Sequence, residues 1–129
     1  MDQQQNTSEF YYKELSYQII GAAMRVHTKI GPGLPEYCYE SALCVEFDEM
    51  EIPYIRQKRH SVYYKGKYCG VFVSDLIVNN QIILELKSDD RLLPHFYSQL
   101  FTYLRITKLK VGYLINFGVK SFKFKRLIL

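Results

Sequence analysis

The sequence has few cysteines, and their spacing excludes the usual cysteine-based sites. Cys38, Cys44 and Cys69 are odd in number and include no C-x-x-C pair. A disulfide framework uses an even number of cysteines, and zinc or iron–sulfur sites use closely spaced pairs, so none of these is indicated. Free thiols fit a reducing compartment, and we expect a cytoplasmic protein.

Long apolar runs are also missing. No stretch approaches the roughly 20 apolar residues that a membrane span needs, and the polar start at Met1–Gln5 precedes no apolar core of a signal peptide. We find no internal repeat or linker in the 129 residues. The sequence therefore predicts a flexible tail over residues 1–7, a single domain over residues 8–129, and no membrane partner.

Charged residues are unevenly distributed. The chain carries 17 Lys and Arg against 13 Asp and Glu, which gives a net charge of +4. Acids gather over residues 46–51, whereas cations gather over residues 56–59 and again over residues 108–126. The pattern predicts one basic face, which favours a polyanionic partner only weakly, because many basic proteins bind no polyanion.

The most informative stretch lies between residues 73 and 87. Asp75 interrupts one apolar run, and Glu85 and Lys87 interrupt the next, with a polar turn at residues 79–81 between them. Both runs are typical of buried strands, and Glu85 and Lys87 share a strand face because side chains alternate. Burying ionised carboxylates is costly without a counter-charge, and two carboxylates exceed one lysine. A divalent metal is the simplest explanation.

The register of this hairpin decides whether the two carboxylates can meet. A two-residue turn at Asn79-Asn80 would set Asp75 opposite Leu84, one position out of line with Glu85. We therefore predict an irregularity. It is either a three-residue loop that ends at Gln81 or a β-bulge beside Asp75.

Periodicity predicts eight elements in the order ααβββαββ. The first helix is expected from an N-cap at Thr7 or Ser8 to Ile30, and Asp89 or Asp90 is expected to cap the third helix. This order favours an α/β fold with a mixed central β-sheet flanked by helices. The other expected bounds are Pro35 to about Met50 for the second helix, Tyr54–Tyr64, Tyr68–Val78 and Ile82–Lys87 for three strands, about Leu92 to Thr107 for the third helix, and Val111–Phe117 and an edge strand Phe122–Leu129.

Three motifs follow one another along the chain. They read Gly33-Leu34-Pro35-Glu36-Tyr37-Cys38-Tyr39, then Asp75 followed by Glu85-Leu86-Lys87, then Gln99-Leu100-Phe101-Thr102-Tyr103. An E-x-K tripeptide alone is a weak signal, but its place on a predicted strand, between the other two motifs, is specific. Together they resemble the GxxExxY family of the PD-(D/E)XK nuclease superfamily over roughly residues 16–127. The resemblance implies a restriction-endonuclease-like core.

The resemblance also implies a metal-dependent phosphodiesterase site. Asp75 and Glu85 would hold one or two Mg²⁺ or Mn²⁺ ions, with the Leu86 carbonyl as an extra ligand. Hard oxygen ligands suit these ions. Lys87 would orient or deprotonate the attacking water and counter the charge that develops on the phosphate.

Helical residues supply further metal-ligand candidates. In related nucleases a helix before the sheet provides another acidic ligand, which maps to Glu36, and Glu40 on the same helix face is the reserve. The alternative for Glu36 is a solvated glutamate that interacts with the helix N-terminus. His27 is a candidate by resemblance, although a lone helix histidine is more often a hydrogen-bonded core residue.

The third predicted helix carries candidate substrate contacts. Gln99 and Tyr103 lie four residues apart and, with His95, form a polar stripe on an otherwise apolar helix. In related exonucleases the matching glutamine and tyrosine contact the phosphate backbone, which implies a substrate-binding role here. The alternative is that these polar side chains pack against the sheet and have their hydrogen bonds satisfied within the protein.

The leading hypothesis is a nuclease that hydrolyses nucleic-acid phosphodiester bonds through a metal-activated water, with DNA favoured over RNA. The alternative is a nucleic-acid-binding or assembly module that kept the fold without turnover. A buried ion pair is the competing explanation for Asp75, Glu85 and Lys87. Cleavage from an end and internal cleavage stay equally open. A small domain offers little surface for substrate selection, so self-association or a protein partner is an option in either case.

Overall fold

A five-stranded mixed sheet with helices on both faces forms the fold. The computed structural model describes residues 11–129. Its elements are α1 (Lys13–Ile30), α2 (Glu36–Glu49), β1 (Tyr54–Tyr64), β2 (Lys67–Val78), β3 (Ile82–Lys87), α3 (Pro94–Thr107), β4 (Val111–Asn116) and β5 (Lys123–Ile128). The strands lie in sequence order, and only the β3–β4 pair is parallel. The predicted element order and the edge position of β5 are confirmed.

The described part of the first helix begins after its predicted N-cap. The expected tail over residues 1–7 and the expected N-cap at Thr7 or Ser8 lie outside the described residues. Within them α1 begins at Lys13, after Tyr12 with a left-handed φ of 56°. The single domain over residues 8–129 stays a prediction.

The predicted cap of α3 is wrong. Leu93, not Asp89 or Asp90, occupies the N-cap position, with extended backbone (φ −87°, ψ 152°) and no side-chain cap. Pro94 follows it, and a proline disfavours helical backbone at the residue before it. The helix therefore begins at Pro94.

The helices bury the two faces of the sheet in separate cores. On one face α1 and α2 pack over Leu84 and Leu86 of β3, whereas on the other face α3 packs over Ile83. Because strand side chains alternate, Glu85 shares the α3 face with Ile83. Its neighbour on β4, Leu114, belongs to the α3 core as well.

The loop between β2 and β3 has three residues, as one of the two predicted alternatives required. Val78 pairs with Ile82, and the register continues to Leu76 and Leu84. Asn79 and Asn80 have left-handed φ values of 52° and 55°, which asparagine tolerates better than most residues. This register sets Asp75 level with Glu85.

Strand β2 also changes face beside Asp75. Phe72 stacks on Tyr103 of α3, with ring centroids 4.2 Å apart, yet Leu76 belongs to the core under α1 and α2. Residues four apart on an uninterrupted strand share a face, so the alternation breaks between them. Gln57, which lies opposite Asp75, has a left-handed φ of 48°. The register is the same on both sides, so no bulge residue is inserted here.

Within residues 11–129, no helix combines the length and the apolar character of a membrane span.

Candidate functional site

Asp75 and Glu85 meet where the β2–β3 ladder ends. Beyond the Leu76–Leu84 pair, the Asp75 backbone N–H donates to Glu85 Oε2 at 3.1 Å. The Leu86 N–H donates to Asp75 Oδ2 at 2.8 Å. Side-chain oxygens thus replace the backbone acceptors of a regular ladder, and the sequence-predicted pair is brought together.

Burial raises the pKa of both carboxyl groups, and a neighbouring carboxylate adds to the increase, namely Asp75 for Glu85 and Glu40 for Asp75. Glu85 is 6% exposed, and its burial, followed by the charge of Asp75, raises its pKa to about 8. Burial also raises the pKa of Asp75, although the hydrogen bond from Leu86 N–H opposes this. Without a further cation, the site therefore favours a proton on Glu85 at neutral pH.

Lys87 is the cation that faces these carboxylates from β3. Its Nζ lies 4.3 Å from the centroid of the Phe96 ring on α3. Its charge lowers the pKa of Glu36, Asp75 and Glu85, yet burial keeps all three values above those of free side chains. One lysine does not balance three carboxylates.

Glu36 lies at the rim of the site, at the first residue of α2. Its side chain is exposed overall, but the part that faces the site is desolvated, which raises its pKa. The charge of Asp75 raises this pKa further, and a hydrogen bond from the Ser88 backbone lowers it. Glu36 is thus within electrostatic reach of Asp75.

An open cleft of about 570 Å³ adjoins these groups on the α2 side of the sheet. Glu36 of α2 and Asp75 of β2 both line it. Glu85 does not line the cleft, and it contacts the site through the Asp75 amide. The remaining lining residues are Leu34, Pro35, Tyr37, Glu40, Gln57, Leu86 and Ser88.

Glu40, the reserve candidate, already has an ion-pair partner, although its charge still raises the pKa of Asp75. Arg56 Nε donates to Glu40 Oε2 at 2.9 Å, and Gln57 Nε2 donates to Glu40 Oε1 at 2.7 Å. The Gln57 amide also reaches Asp75 Oδ1 at 3.3 Å. Glu40 therefore supports Asp75 through Gln57, and it carries its own counter-ion.

The motif around Glu36 fixes the loop that leads into α2. Tyr39 is fully buried, and its hydroxyl donates to the Gly31 carbonyl at 2.6 Å and accepts from the Leu34 N–H at 3.2 Å. From the other side, Ser88 Oγ donates to the Leu34 carbonyl at 2.9 Å. The tyrosine of the motif thus holds the loop that positions Glu36 beside the end of β3.

Gln99 and Tyr103 lie on the side of α3 that faces the carboxylates. Gln99 hydrogen bonds to the Tyr103 side chain, and burial and then the charges of Glu85 and Asp75 raise the pKa of Tyr103. The Tyr103 ring also stacks on Phe72. Both predicted substrate-binding residues therefore flank the site, Gln99 exposed and Tyr103 half-buried.

The structure does not bring His27 to the site. His27 is buried, and its Nε2 lies 2.7 Å from the Val119 carbonyl oxygen. Its ring packs near Phe117 and Phe122, with centroids 6.4 and 5.6 Å away. His27 is the hydrogen-bonded core residue that the alternative described.

Sequence reasoning missed Asn116, which anchors the loop after β3. Asn116 Oδ1 accepts from Asp89 N–H at 3.1 Å and from Gly118 N–H at 2.9 Å, and Asn116 Nδ2 donates to the Asp89 carbonyl at 2.9 Å. A Cβ on Gly118 would lie 2.3 Å from the Asp89 nitrogen, so only glycine fits. An asparagine at the end of a wholly apolar strand is the signal that could have identified it.

The donor set fits a hard divalent cation. Asp75 and Glu85 offer carboxylate oxygens whose repulsion a cation would relieve, and Mg²⁺ and Mn²⁺ prefer such oxygens. Within residues 11–129, no three His, Cys, Asp or Glu side chains converge as a ready ligand cluster. An ion held by this pair would therefore need further oxygen ligands, from water, from the backbone or from Glu36 at the cleft rim.

Comparisons with known proteins agree with the geometry. A family model described as the PD-(D/E)XK nuclease superfamily matches residues 13–127. The crystal structure of SSO0001 matches with a TM-score of 0.55 and 21% sequence identity, covering 96% of this chain and 59% of that chain. This chain therefore spans less than two thirds of that structure, and the likeness shows the fold alone. It confirms the α/β fold, consistent with a restriction-endonuclease-like core. No curated protein sequence gives a significant match.

Proposed function

The chain belongs to the PD-(D/E)XK nuclease superfamily, and from this premise we propose that it hydrolyses nucleic-acid phosphodiester bonds with Mg²⁺ or Mn²⁺ held by Asp75 and Glu85. One observation carries the proposal. Buried Glu85 and half-buried Asp75 lie side by side with surplus negative charge, and burial together with Asp75 raises the pKa of Glu85 to about 8. A structural ion pair would balance its charges, whereas a metal site needs this surplus.

Each residue has a distinct role in the proposed site. Asp75 and Glu85 are the metal ligands, Glu36 at the cleft rim is a third ligand, and the Leu86 carbonyl is an extra one. The bound ion would supply Lewis-acid stabilisation of the charge on the phosphate. Asp75 holds its ligating orientation because the Leu86 N–H fixes Oδ2 and Gln57 supports Oδ1.

Lys87 is the proposed proton-handling residue. Lys87 lies two residues after Glu85 on β3 and therefore on the same face of the strand, which keeps its charge near Asp75 and Glu85. There it orients or deprotonates the attacking water and counters the charge that builds on the phosphate. Gln99 and Tyr103 are proposed to contact the phosphate backbone of the substrate from α3.

We also propose the finer assignment to the GxxExxY family. Two residues of the motif have distinct positions that support this assignment. The Tyr39 hydroxyl holds the loop before α2 through hydrogen bonds, and Glu36 lines the cleft. A DNA substrate in preference to RNA, a cytoplasmic location and a protein or self-association partner stay predictions.

One observation favours a second candidate, a binding or assembly module without turnover. Oxygens of both carboxylates already accept backbone hydrogen bonds, from Leu86 N–H and from Asp75 N–H. A site that has lost its catalytic activity could keep these hydrogen bonds, with Glu85 protonated.

Calorimetry combined with cleavage assays tests the proposal. We expect Mn²⁺ to bind the wild type, and Asp75→Asn and Glu85→Gln to lower its affinity at least tenfold and to abolish cleavage of labelled DNA and RNA. Glu49→Gln, an exposed residue of α2, is the matched control and should change neither. Unchanged affinity in both site variants would exclude the metal site, and metal binding without cleavage of any single- or double-stranded substrate would favour the module.

A further inference from the structure

The β1–β2 hairpin extends well beyond the rest of the sheet. β3 pairs with β2 only from Leu76 to Val78, whereas β1 and β2 pair as far as Tyr64 and Lys67. We call residues 58–74 the hairpin arm. At about 3.4 Å per residue, each of its strands is on the order of 20 Å long. The arm begins directly beyond Gln57 and Asp75, two residues that line the cleft.

The arm carries positive charge without compensation. No Asp or Glu occurs between Glu51 and Asp75. The arm contains four cations, Lys58, Arg59, Lys65 and Lys67, and all four are exposed. None of them takes part in the ion pairs found within residues 11–129. A polyanion that contacts the arm would therefore meet only attraction along its length.

The tip of the arm exposes three tyrosines. Tyr63, Tyr64 and Tyr68 are 64%, 67% and 62% exposed. Tyr63 and Tyr68 lean on each other edge to face with centroids 6.0 Å apart, and the Lys65 Nζ lies 5.6 Å from the Tyr64 ring centroid. No residue of the arm belongs to either hydrophobic core of the described chain. These rings are not core residues, and most of their surface is open to a partner.

We infer that the hairpin arm binds single-stranded nucleic acid and leads it to the cleft at Asp75. Exposed aromatic rings beside backbone-neutralising cations are the two components of single-strand binding, because every base has a face that can stack. A two-stranded ribbon also fits the major groove of a duplex, but paired bases offer their edges there and leave no face for the tyrosines.

A second copy of this chain fits the arm less well. A two-fold dimer through the arm would place its four cations against the same four cations of the partner copy. Like charges at such an interface repel, whereas nucleic acid neutralises them. The charge therefore favours nucleic acid as the occupant.

Binding can be measured without cleavage, which separates this inference from the proposed function on which its role at the cleft rests. The full-length protein is titrated in chelator, by fluorescence anisotropy, against labelled single-stranded DNA and RNA of about 20 nucleotides, longer than a typical single-strand site. A duplex of the same sequence is measured in parallel. We expect the single strands to bind more tightly than the duplex.

Two variants separate stacking from charge. The triple variant Tyr63→Ala, Tyr64→Ala, Tyr68→Ala should weaken single-strand binding by about tenfold or more. The variant that replaces the four arm cations with glutamine should weaken binding and reduce the slope of log K against log salt by up to about 3, since each phosphate contact contributes about 0.7. Tyr17→Ala and Lys29→Gln, both exposed on α1, are the matched controls.

Each outcome is decisive for the arm. Wild-type binding by both arm variants, or binding lost equally in the controls, would overturn the inference, as would a preference for duplex. A wild-type dimer that the arm variants convert to a monomer, with unchanged nucleic-acid affinity, would assign the arm to self-association instead. Arm-dependent binding in a protein that cleaves nothing would keep the inference and refute the catalytic proposal.

Discussion

The Asp75 backbone N–H donates to Glu85 Oε2 at 3.1 Å, at the point where the backbone ladder between their strands ends. The same aspartate accepts from the Leu86 N–H, so each side chain of the pair is held by the backbone of the opposite strand. The fold thus keeps two carboxylates close at the cost of their repulsion. A proton on Glu85 or a bound divalent cation would relieve this repulsion, so protons and the cation should compete for the site.

The first prediction concerns the pH dependence of stability in chelator. Burial, then Asp75, raises the pKa of Glu85 from 4.5 to about 8, so the native state holds a proton that the unfolded chain releases between these values. The free energy of unfolding should therefore fall as pH rises from about 4.5 to about 8, by at most roughly 1.4 kcal/mol per unit. Urea unfolding at a series of pH values measures it.

Glu85→Gln supplies the control for this pH dependence. Glutamine has no proton to lose, so the variant should show a flatter profile, with a residual slope from Asp75 and Glu36, whose pKa values are raised in the same direction. Saturating Mn²⁺ should flatten the wild-type profile as well. An equal slope in the wild type and in Glu85→Gln would exclude Glu85 as the source.

The second prediction concerns Asp75→Asn in chelator. Asparagine keeps an acceptor for the Leu86 N–H and loses only the 3.3 Å contact from Gln57, while the repulsion of Glu85 is relieved. The variant should melt at the same temperature as the wild type or higher, and the difference should increase as pH rises through about 8, where Glu85 ionises. Calorimetry measures it. A clear loss of thermal stability would instead indicate a structural ion pair with Lys87.

Much of this site could be predicted from the sequence, because strand alternation and hairpin register follow from local rules. The three-residue loop that ends at Gln81 is one of the two predicted solutions for Asp75 and Glu85. The position of Gln57 could not be predicted in this way. Counting from the tight turn at the tip would set Arg56 opposite Asp75, but a register shift between Val62 and Tyr63 sets Gln57 there.

The helical candidates were harder to place because spacing does not report tertiary partners. Nothing in the sequence distinguishes His27, bound to a carbonyl of a loop 92 residues away, from a metal ligand. Glu40 and Glu36 share a helix face, yet only Glu40 has an arginine partner. Tyr63 and Tyr68 of the arm are five residues apart in sequence, and pairing across the hairpin brings them together.

The third prediction compares two glycine substitutions. Gly118→Ala should destabilise the protein by a few kcal/mol, since its Cβ would lie 2.3 Å from the Asp89 nitrogen and displace the loop after Lys87. Gly21→Ala is the matched control. It lies inside α1 with its nearest obstacle at 3.6 Å, so alanine should be neutral or stabilise by up to about 1 kcal/mol. Equal changes in the free energy of unfolding of the two variants would contradict the predicted clash at Gly118.

The fourth prediction concerns Lys87, whose role is proposed to depend on its charge. Its Nζ lies over the Phe96 ring, so Lys87→Ala removes both the side chain beside that ring and its charge, whereas Lys87→Met keeps an apolar side chain of similar length and removes only the charge. Both variants should keep Mn²⁺ and nucleic-acid binding and lower the cleavage rate by about a hundredfold or more, because a charge aimed at the negative charge that develops on the phosphate acts mainly in the transition state.

Lys110→Ala, exposed before β4, is the control and should cleave at the wild-type rate. If Lys87→Met restored cleavage that Lys87→Ala lost, packing on Phe96 would be the function of Lys87. Wild-type cleavage by both variants would mean that another group activates the water.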